Sequence, residues 1–310
     1  MNKIKSNFDE HGYYIYPGLI SHKKIDQLLE QLDIFKKRNF IYYSQSEHNW
    51  RRAKDDLDKN NLLNCSFENF TDLLWSPWLS KSGRNILQSQ EINSVLQAIS
   101  GKKEFCMWQN MFFDKSTGTV DHIDSWYLDS NPIGSLIAVW VALEDIDGRG
   151  GEFHVYPKSH LNRDLSWAKL NHNDFLNWSK DQSKNYDKKS FLIKKGDALF
   201  WHPLLLHGSS SQREKSFSRK SITAHYYPKD FLRGGKGKNQ IINEDYKRKV
   251  ETQNKSIRKF GYPIYSRVTR RSIAKFSLFG LIKNLIDFNN SPKMFMNRLR
   301  YKTKQSINEK

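Results

Sequence analysis

Phe105-Cys106-Met107-Trp108-Gln109-Asn110-Met111-Phe112-Phe113 is a run of strand formers that stops at Asp114-Lys115-Ser116-Thr117-Gly118. It marks a change of texture in the chain. Downstream, Ser135–Leu143, Gly151–Tyr156, Phe191–Ile193, Ala198–Trp201, Leu204–His207 and Ser221–Tyr227 are short apolar segments separated by Gly, Pro or Asp. Short strands at such intervals argue for a sandwich or barrel. Upstream, the pattern is mostly helical. Tyr13–Tyr16 predicts one short strand, which Pro17-Gly18 ends. Ser21 then reads as an N-cap, and Ile25, Leu28, Leu29 and Leu32 predict a helix over 22–37. Ile86, Leu87, Ile92, Val95, Leu96 and Ile99 before Gly101 predict another over 84–100. The polar stretch 44–64 reads as loop. The polar stretch 161–190, with Trp167, Phe175 and Trp178, reads as an insertion lying over the β-core.

The 310 residues include 9 Trp, 14 Tyr and 19 Phe, enough aromatic bulk for one large β-rich core. The net charge of +18 is unevenly placed. Between Lys229 and Lys310 there are 21 Lys and Arg against 6 Asp and Glu, or +15, so the preceding part is nearly balanced. This divides the chain into a domain over 1–228 and a basic extension over 229–310. Two cysteines, Cys65 and Cys106, make no disulfide framework. Neither a signal-peptide pattern nor a membrane-length apolar stretch is found, so the expectation is a soluble, cytoplasmic protein.

The strongest local signal is Asp121-His122-Ile123-Asp124. In a strand, residues two apart share a face, so His122 and Asp124 present an imidazole and a carboxylate to one point. A third ligand must come from elsewhere. His207 follows Leu204-Leu205-Leu206 and precedes Gly208-Ser209. Two histidines and a carboxylate on one face leave open positions, which suits iron(II) that also binds a cosubstrate and O₂. His-x-Asp alone is a weak motif. Its ordered companions strengthen it: Ser125-Trp126-Tyr127, Ala138–Asp145, Gly150-Gly151-Glu152-Phe153, Pro157-Lys158-Ser159-His160, Lys195–Trp201, His207-Gly208-Ser209, Arg219 and Ser221–Tyr227.

This series resembles the phytanoyl-CoA dioxygenase family of iron(II)/2-oxoglutarate oxygenases, over about residues 8–228. The resemblance implies a mainly β fold, a double-stranded β-helix or jelly roll of cupin-like type with helices packed on one sheet. It places His122, Asp124 and His207 on the iron ligands and Arg219 on the distal carboxylate of 2-oxoglutarate. Trp140 and Ser209 match positions lining that cosubstrate, and Asn110 is the best match for a further contact, with Gln109 the alternative. It implies hydroxylation of an aliphatic carbon in a small-molecule metabolite, with Fe(2+), 2-oxoglutarate and O₂. The retained Asp124 argues against halogenation. Departures include Ile123 in place of the usual Gln, Lys158 in the Pro-Gly-Ser-His turn, and the 229–310 extension.

Other residues have plainer readings. His160 shapes a turn, and His202 is a rival third ligand. His154 and His225 are satisfied core or cleft histidines, and one of Trp126 and Tyr127 lines the mouth of the site. Two other function classes compete: a catalytically silent ligand-binding barrel and a nucleic-acid-acting oxygenase. The intact ligand set argues against the first. The second is disfavoured because the basic residues lie in the extension and no recognition motif is present. Within the extension, Ser272–Phe288 carries Ile273, Phe276, Phe279, Ile282 and Ile286 at helical spacing beside Arg270, Arg271, Lys275 and Lys283. That run predicts an amphipathic helix. It either packs back on the barrel or contacts an anionic membrane surface or acidic partner.

Overall fold

The computed structural model describes residues 3–234 and 242–267. Its helices are α1 (Lys3–His11), α2 (His22–Lys37), α3 (Pro77–Leu87), α4 (Gln90–Ser100), α5 (His172–Ser183) and α6 (Glu244–Asn254). In chain order the strands are β1 (Tyr13–Tyr16), β2 (Ile41–Ser44), β3 (Asn49–Arg52), β4 (Phe67–Glu68), β5 (Phe105–Phe113), β6 (Asp129–Asn131), β7 (Ile137–Ala142) and β8 (Phe153–Val155). Then come β9 (Lys189–Ser190), β10 (Ala198–Trp201), β11 (His207–Ser209), β12 (Ser221–Pro228), β13 (Leu232–Gly234), β14 (Ile257–Arg258) and β15 (Tyr265–Arg267).

The main sheet runs β1-β10-β7-β12-β5-β4-β2-β3, antiparallel throughout, and β15 joins β5 in parallel. A smaller sheet runs β11-β8-β9. Alternation along the strands gives the main sheet two apolar faces. Ile222, Ala224 and Tyr226 of β12, with Val139 and Val141 of β7, pack outward against Ile25, Leu28 and Phe35 of α2 and Ile92 and Leu96 of α4. Ala138, Trp140, Leu199 and Trp201 point the other way and meet Phe153 and Val155 of the smaller sheet. Two sheets facing each other, with helices behind one of them, is the jelly-roll architecture expected from the sequence.

The helix expected over 84–100 is two helices. The Ser89 hydroxyl accepts a hydrogen bond from Ile92 N at 3.3 Å and caps a new start, while Gln88 donates its amide to Ile264 O at 2.7 Å. The second helix stops at Gly101, whose φ of +71° suits a residue without Cβ. The 44–64 stretch contains β3, and 161–190 contains α5.

The first compact unit runs to Arg267 rather than closing at 228. β13 pairs with β6, the Tyr246 hydroxyl of α6 donates to Asn131 O and accepts from Leu232 N, and β15 extends the main sheet. The basic excess therefore does not coincide with the structural boundary, because residues 229–267 carry surface charge and still bury Tyr246, Val250 and Ile264. No helix among the described residues is long and apolar enough to cross a membrane. The run Ser272–Phe288 lies outside the described residues.

Candidate active site

The metal-ligand candidates meet at the rim between the two sheets. His122 and His207 form an isolated antiparallel bridge, each amide donating to the other's carbonyl at 3.0 Å. The His-x-Asp segment is thus a bridge followed by a 3-10 turn from Asp124, not a regular strand. Ile123 is still extended, with φ −113° and ψ 141°, so residues 122 and 124 share a side. Ligand atoms of His122, Asp124 and His207 all lie within 4.8 Å of one another.

Each part of the triad is oriented by a neighbour. His122 Nδ1 donates to Val120 O and His207 Nδ1 donates to Leu205 O, both at 2.9 Å. A carbonyl only accepts, so each Nδ1 carries a proton, and in the neutral ring Nε2 is left with the lone pair. Those Nε2 atoms lie 3.6 and 3.7 Å from Asp124 Oδ1. The other carboxylate oxygen, Oδ2, accepts the Trp201 indole N–H at 2.9 Å. Burial opposes the Asp124 charge, yet the imidazoles around it hold its carboxyl well below the ordinary range. Burial, reinforced by His122, pushes His207 down to about 3 and keeps it neutral. Burial opposes a charge on His122 as well, but the Asp124 carboxylate beside it raises its pKa, so a bound metal would take the place of a proton there. Two imidazoles and one carboxylate are a donor set a divalent transition metal takes.

Arg219 supplies the second half of the site. It is 3% exposed, and its Nε and Nη1 meet no acceptor among the described residues. Burial alone lowers its pKa to about 10, so it remains charged at neutral pH. Its guanidinium carbon stands 5.8 Å from the Trp140 ring centroid and 5.9 Å from that of Phe113. The Trp140 indole N–H is likewise buried and meets no acceptor among the described residues. Trp140 reaches the metal side through Phe153, at 5.9 Å between ring centroids, and Phe153 stacks on His207 at 5.7 Å. A buried guanidinium without a carboxylate is costly to fold, so an anion from outside the chain is its natural partner. Ser209 shares His207's side of β11, and its hydroxyl oxygen accepts from Thr119 N at 3.0 Å and from the Ser116 hydroxyl at 3.3 Å.

Asn110 is not at this site. It pairs with Ala224, on the face packed against helices, and its amide is committed to Thr71. Gln109 lies opposite His225 and shares the inner face. The rival His202 is also elsewhere: its ring lies 5.1 Å from that of His160 and 6.1 Å from that of Phe8. His154 Nε2 binds Asp121 Oδ1 at 2.6 Å, while its buried Nδ1 meets no partner among the described residues. His225, given the same plain reading, instead points at the triad, with Nε2 3.4 Å from Asp124 Oδ2. Its parity with Ser221 and Thr223 on β12 was the available clue. At the mouth, Tyr127 is 44% exposed with its ring 5.7 Å from that of His122, and its hydroxyl meets His172 Nε2 of α5 at 3.0 Å. Trp126 is buried and stacks on Phe175.

The family model described as phytanoyl-CoA dioxygenase (PhyH) matches residues 8–221. Peroxisomal phytanoyl-CoA dioxygenase of Bos taurus is 31% identical over 115 residues, which is 34% of this chain and 32% of the bovine protein. The aligned part thus spans about a third of that curated relative's length. Among solved structures, the non-heme alpha-ketoglutarate-dependent carbocyclase SnoK from nogalamycin biosynthesis superposes with a TM-score of 0.57 at 15% identity, over 74% of this chain and 85% of SnoK. The epimerase SnoN, crystallised with Fe3+, alpha-ketoglutarate and nogalamycin RO, gives 0.55 at 14% identity, over 78% and 90%. At such identities the structures speak for the fold. The family model spans more than half of the sequence, and the chain belongs to the phytanoyl-CoA dioxygenase family.

Proposed function

We propose that this protein is an iron(II)- and 2-oxoglutarate-dependent dioxygenase that hydroxylates an aliphatic carbon of a small-molecule metabolite. The observation that carries the reading is Arg219, a buried cation whose Nε and Nη1 meet no acceptor among the described residues, on the same inner surface as a His-Asp-His triad. His122, Asp124 and His207 would hold the metal through two Nε2 atoms and Asp124 Oδ1. Arg219 would take the distal carboxylate of 2-oxoglutarate, with the Trp140 N–H and the Ser209 hydroxyl beside it. When bound, iron(II), 2-oxoglutarate and O₂ supply the oxidising power for attack on an unactivated C–H bond.

The chain's own part is positioning and exclusion of water. The Val120 and Leu205 carbonyls hold two imidazoles in one tautomer. Trp201 fixes one Asp124 oxygen and leaves the other toward the histidines. Phe113, Trp140 and Phe153 wall the space around Arg219 and keep its charge in a low-dielectric setting. Tyr127 and His172 stand where a substrate would enter.

The test is succinate release from 2-oxoglutarate under air with iron(II), across pools of small metabolites. Asp124→Ala should abolish release while the circular dichroism spectrum is retained. Full activity in that variant would sink the assignment. For the extension, we propose that its basic, amphipathic run contacts an anionic membrane surface or acidic partner, which would make the protein peripheral at a membrane. Its charge and apolar spacing support that reading.

A further inference from the structure

A second guanidinium, that of Arg233 on β13, lies beside the main sheet against Trp108 of β5, toward the end opposite Arg219. Inward side chains along β12 run Ser221, Thr223, His225 and Tyr227. Arg219 lies before the first of them, and His225 touches Asp124. Tyr227 is one pleat farther, about 7 Å along the strand. There the Tyr227 and Trp108 rings meet edge to face at 6.2 Å between centroids. The Arg233 guanidinium carbon lies 5.1 Å from the Trp108 centroid. Leu128, Leu136 and Cys106 complete an apolar wall around this group.

Arg233 is placed by backbone, not by its charge. It sits on β13 opposite Ser130 of β6, and its amide donates to Gln253 Oε1 at 2.8 Å. Its Nε and Nη1 are buried and meet no acceptor among the described residues. The acid on the adjacent strand, Asp129, is already committed to the Ser125 hydroxyl and to the amides of Ser130, Gly134 and Leu136. The contact with Trp108 offsets part of the desolvation of the guanidinium, but Nε and Nη1 still lack an oxygen among the described residues.

We infer that Arg233 receives the oxyanion of the primary substrate, a carboxylate or phosphate ending an apolar body that lies along Trp108 toward the triad. This rests on the oxygenase reading above. The buried Arg219 would then read the cosubstrate and the partly buried Arg233 the substrate, with the metal ligands between them.

The test is isothermal titration of the full-length protein with octanoate, octyl phosphate and the neutral octanamide. At least one anion should bind saturably, about tenfold or more tighter than octanamide. Arg233→Gln should weaken that anion to the octanamide level. Arg233→Lys, which keeps the charge without the planar fork, should retain part of the affinity, and it carries the test if the Gln variant does not fold. The stronger of the two anions identifies carboxylate or phosphate. Equal binding of octanamide, no binding of either anion, or unchanged anion affinity in Arg233→Gln would overturn the inference. So would loss of 2-oxoglutarate binding in that variant with anion binding kept, since the arginines would then have exchanged roles. Wild-type succinate release tests the oxygenase reading separately: its absence alongside Arg233-dependent anion binding rejects that reading and leaves the anion site standing.

Discussion

Arg219 sets function against stability within one side chain. Its guanidinium is almost wholly desolvated, and its Nε and Nη1 meet no acceptor among the described residues, a state that a bound anion would relieve. Arg219→Met should therefore leave the fold intact and raise stability by about 1 kcal/mol, seen as a higher melting temperature. The same variant should raise the apparent KM for 2-oxoglutarate by the equivalent of roughly 2–5 kcal/mol, far more than that for the primary substrate. A lower melting temperature with unchanged cosubstrate dependence would make Arg219 a structural residue. At this scale the sequence was informative where a residue's neighbours constrained it. His207 was separable from His202 because His-Gly-Ser and Arg219 followed it at a consistent spacing. Asn110 was misassigned because the face of a strand residue depends on register. β12 and β5 slip by one residue at His225/Tyr226, and neither that irregularity nor the Thr71 partner is written in the local pattern.

The junction of α1 and β1 shows an element held by histidines that have no part in the chemistry. Gly12, at φ +81°, passes so close to His160 that a Cβ would lie 2.5 Å from its Nδ1. His202 N donates to Gly12 O at 2.8 Å, and His160 Nε2 meets Asp9 O at 3.0 Å. Burial lowers the His202 pKa to about 3 and also lowers that of His160. The unfolded chain takes up protons near pH 6.5 while His202 in the folded chain stays neutral. Stability should thus fall as pH drops from 6.5 toward 3, with the contribution intact above 6.5. Melting temperature against pH should show this slope, and His202→Gln should flatten it. A wild-type profile flat between pH 7 and 5 would rule it out. The helix periods were legible upstream because a 3.6-residue repeat is local. The break at Ser89 and the docking of α1 were not, since both depend on contacts made far along the chain.

For the molecule as a whole, the charge step at residue 229 and the edge of the compact unit at 267 are different boundaries. Composition reported the first, and only pairing could report the second. A chain ending at Pro228 loses β13, α6 and β15, and with them the Tyr246 hydroxyl on Asn131 and the Ile264 carbonyl that holds Gln88. It should melt well below the full-length protein, whereas a chain ending at Arg267 should keep both its melting temperature and its succinate release. Equal stability of the two truncations would mean that 229–267 is dispensable. Co-sedimentation with anionic vesicles, comparing the full chain with the one ending at Arg267, then examines the remaining basic run. Salt-sensitive binding by the full chain alone is the expected outcome.

The reciprocal amide pairing of His122 with His207 has a kinetic corollary. Both ligand-bearing segments are fastened by backbone and by carbonyl-held imidazoles, so filling or emptying the centre requires no refolding. Removal and return of the metal should then be free of hysteresis. Protein stripped by chelator should keep its melting cooperativity, and on addition of iron(II) succinate release should resume within the mixing time. A lag of minutes would indicate that the bridge opens when the ion leaves.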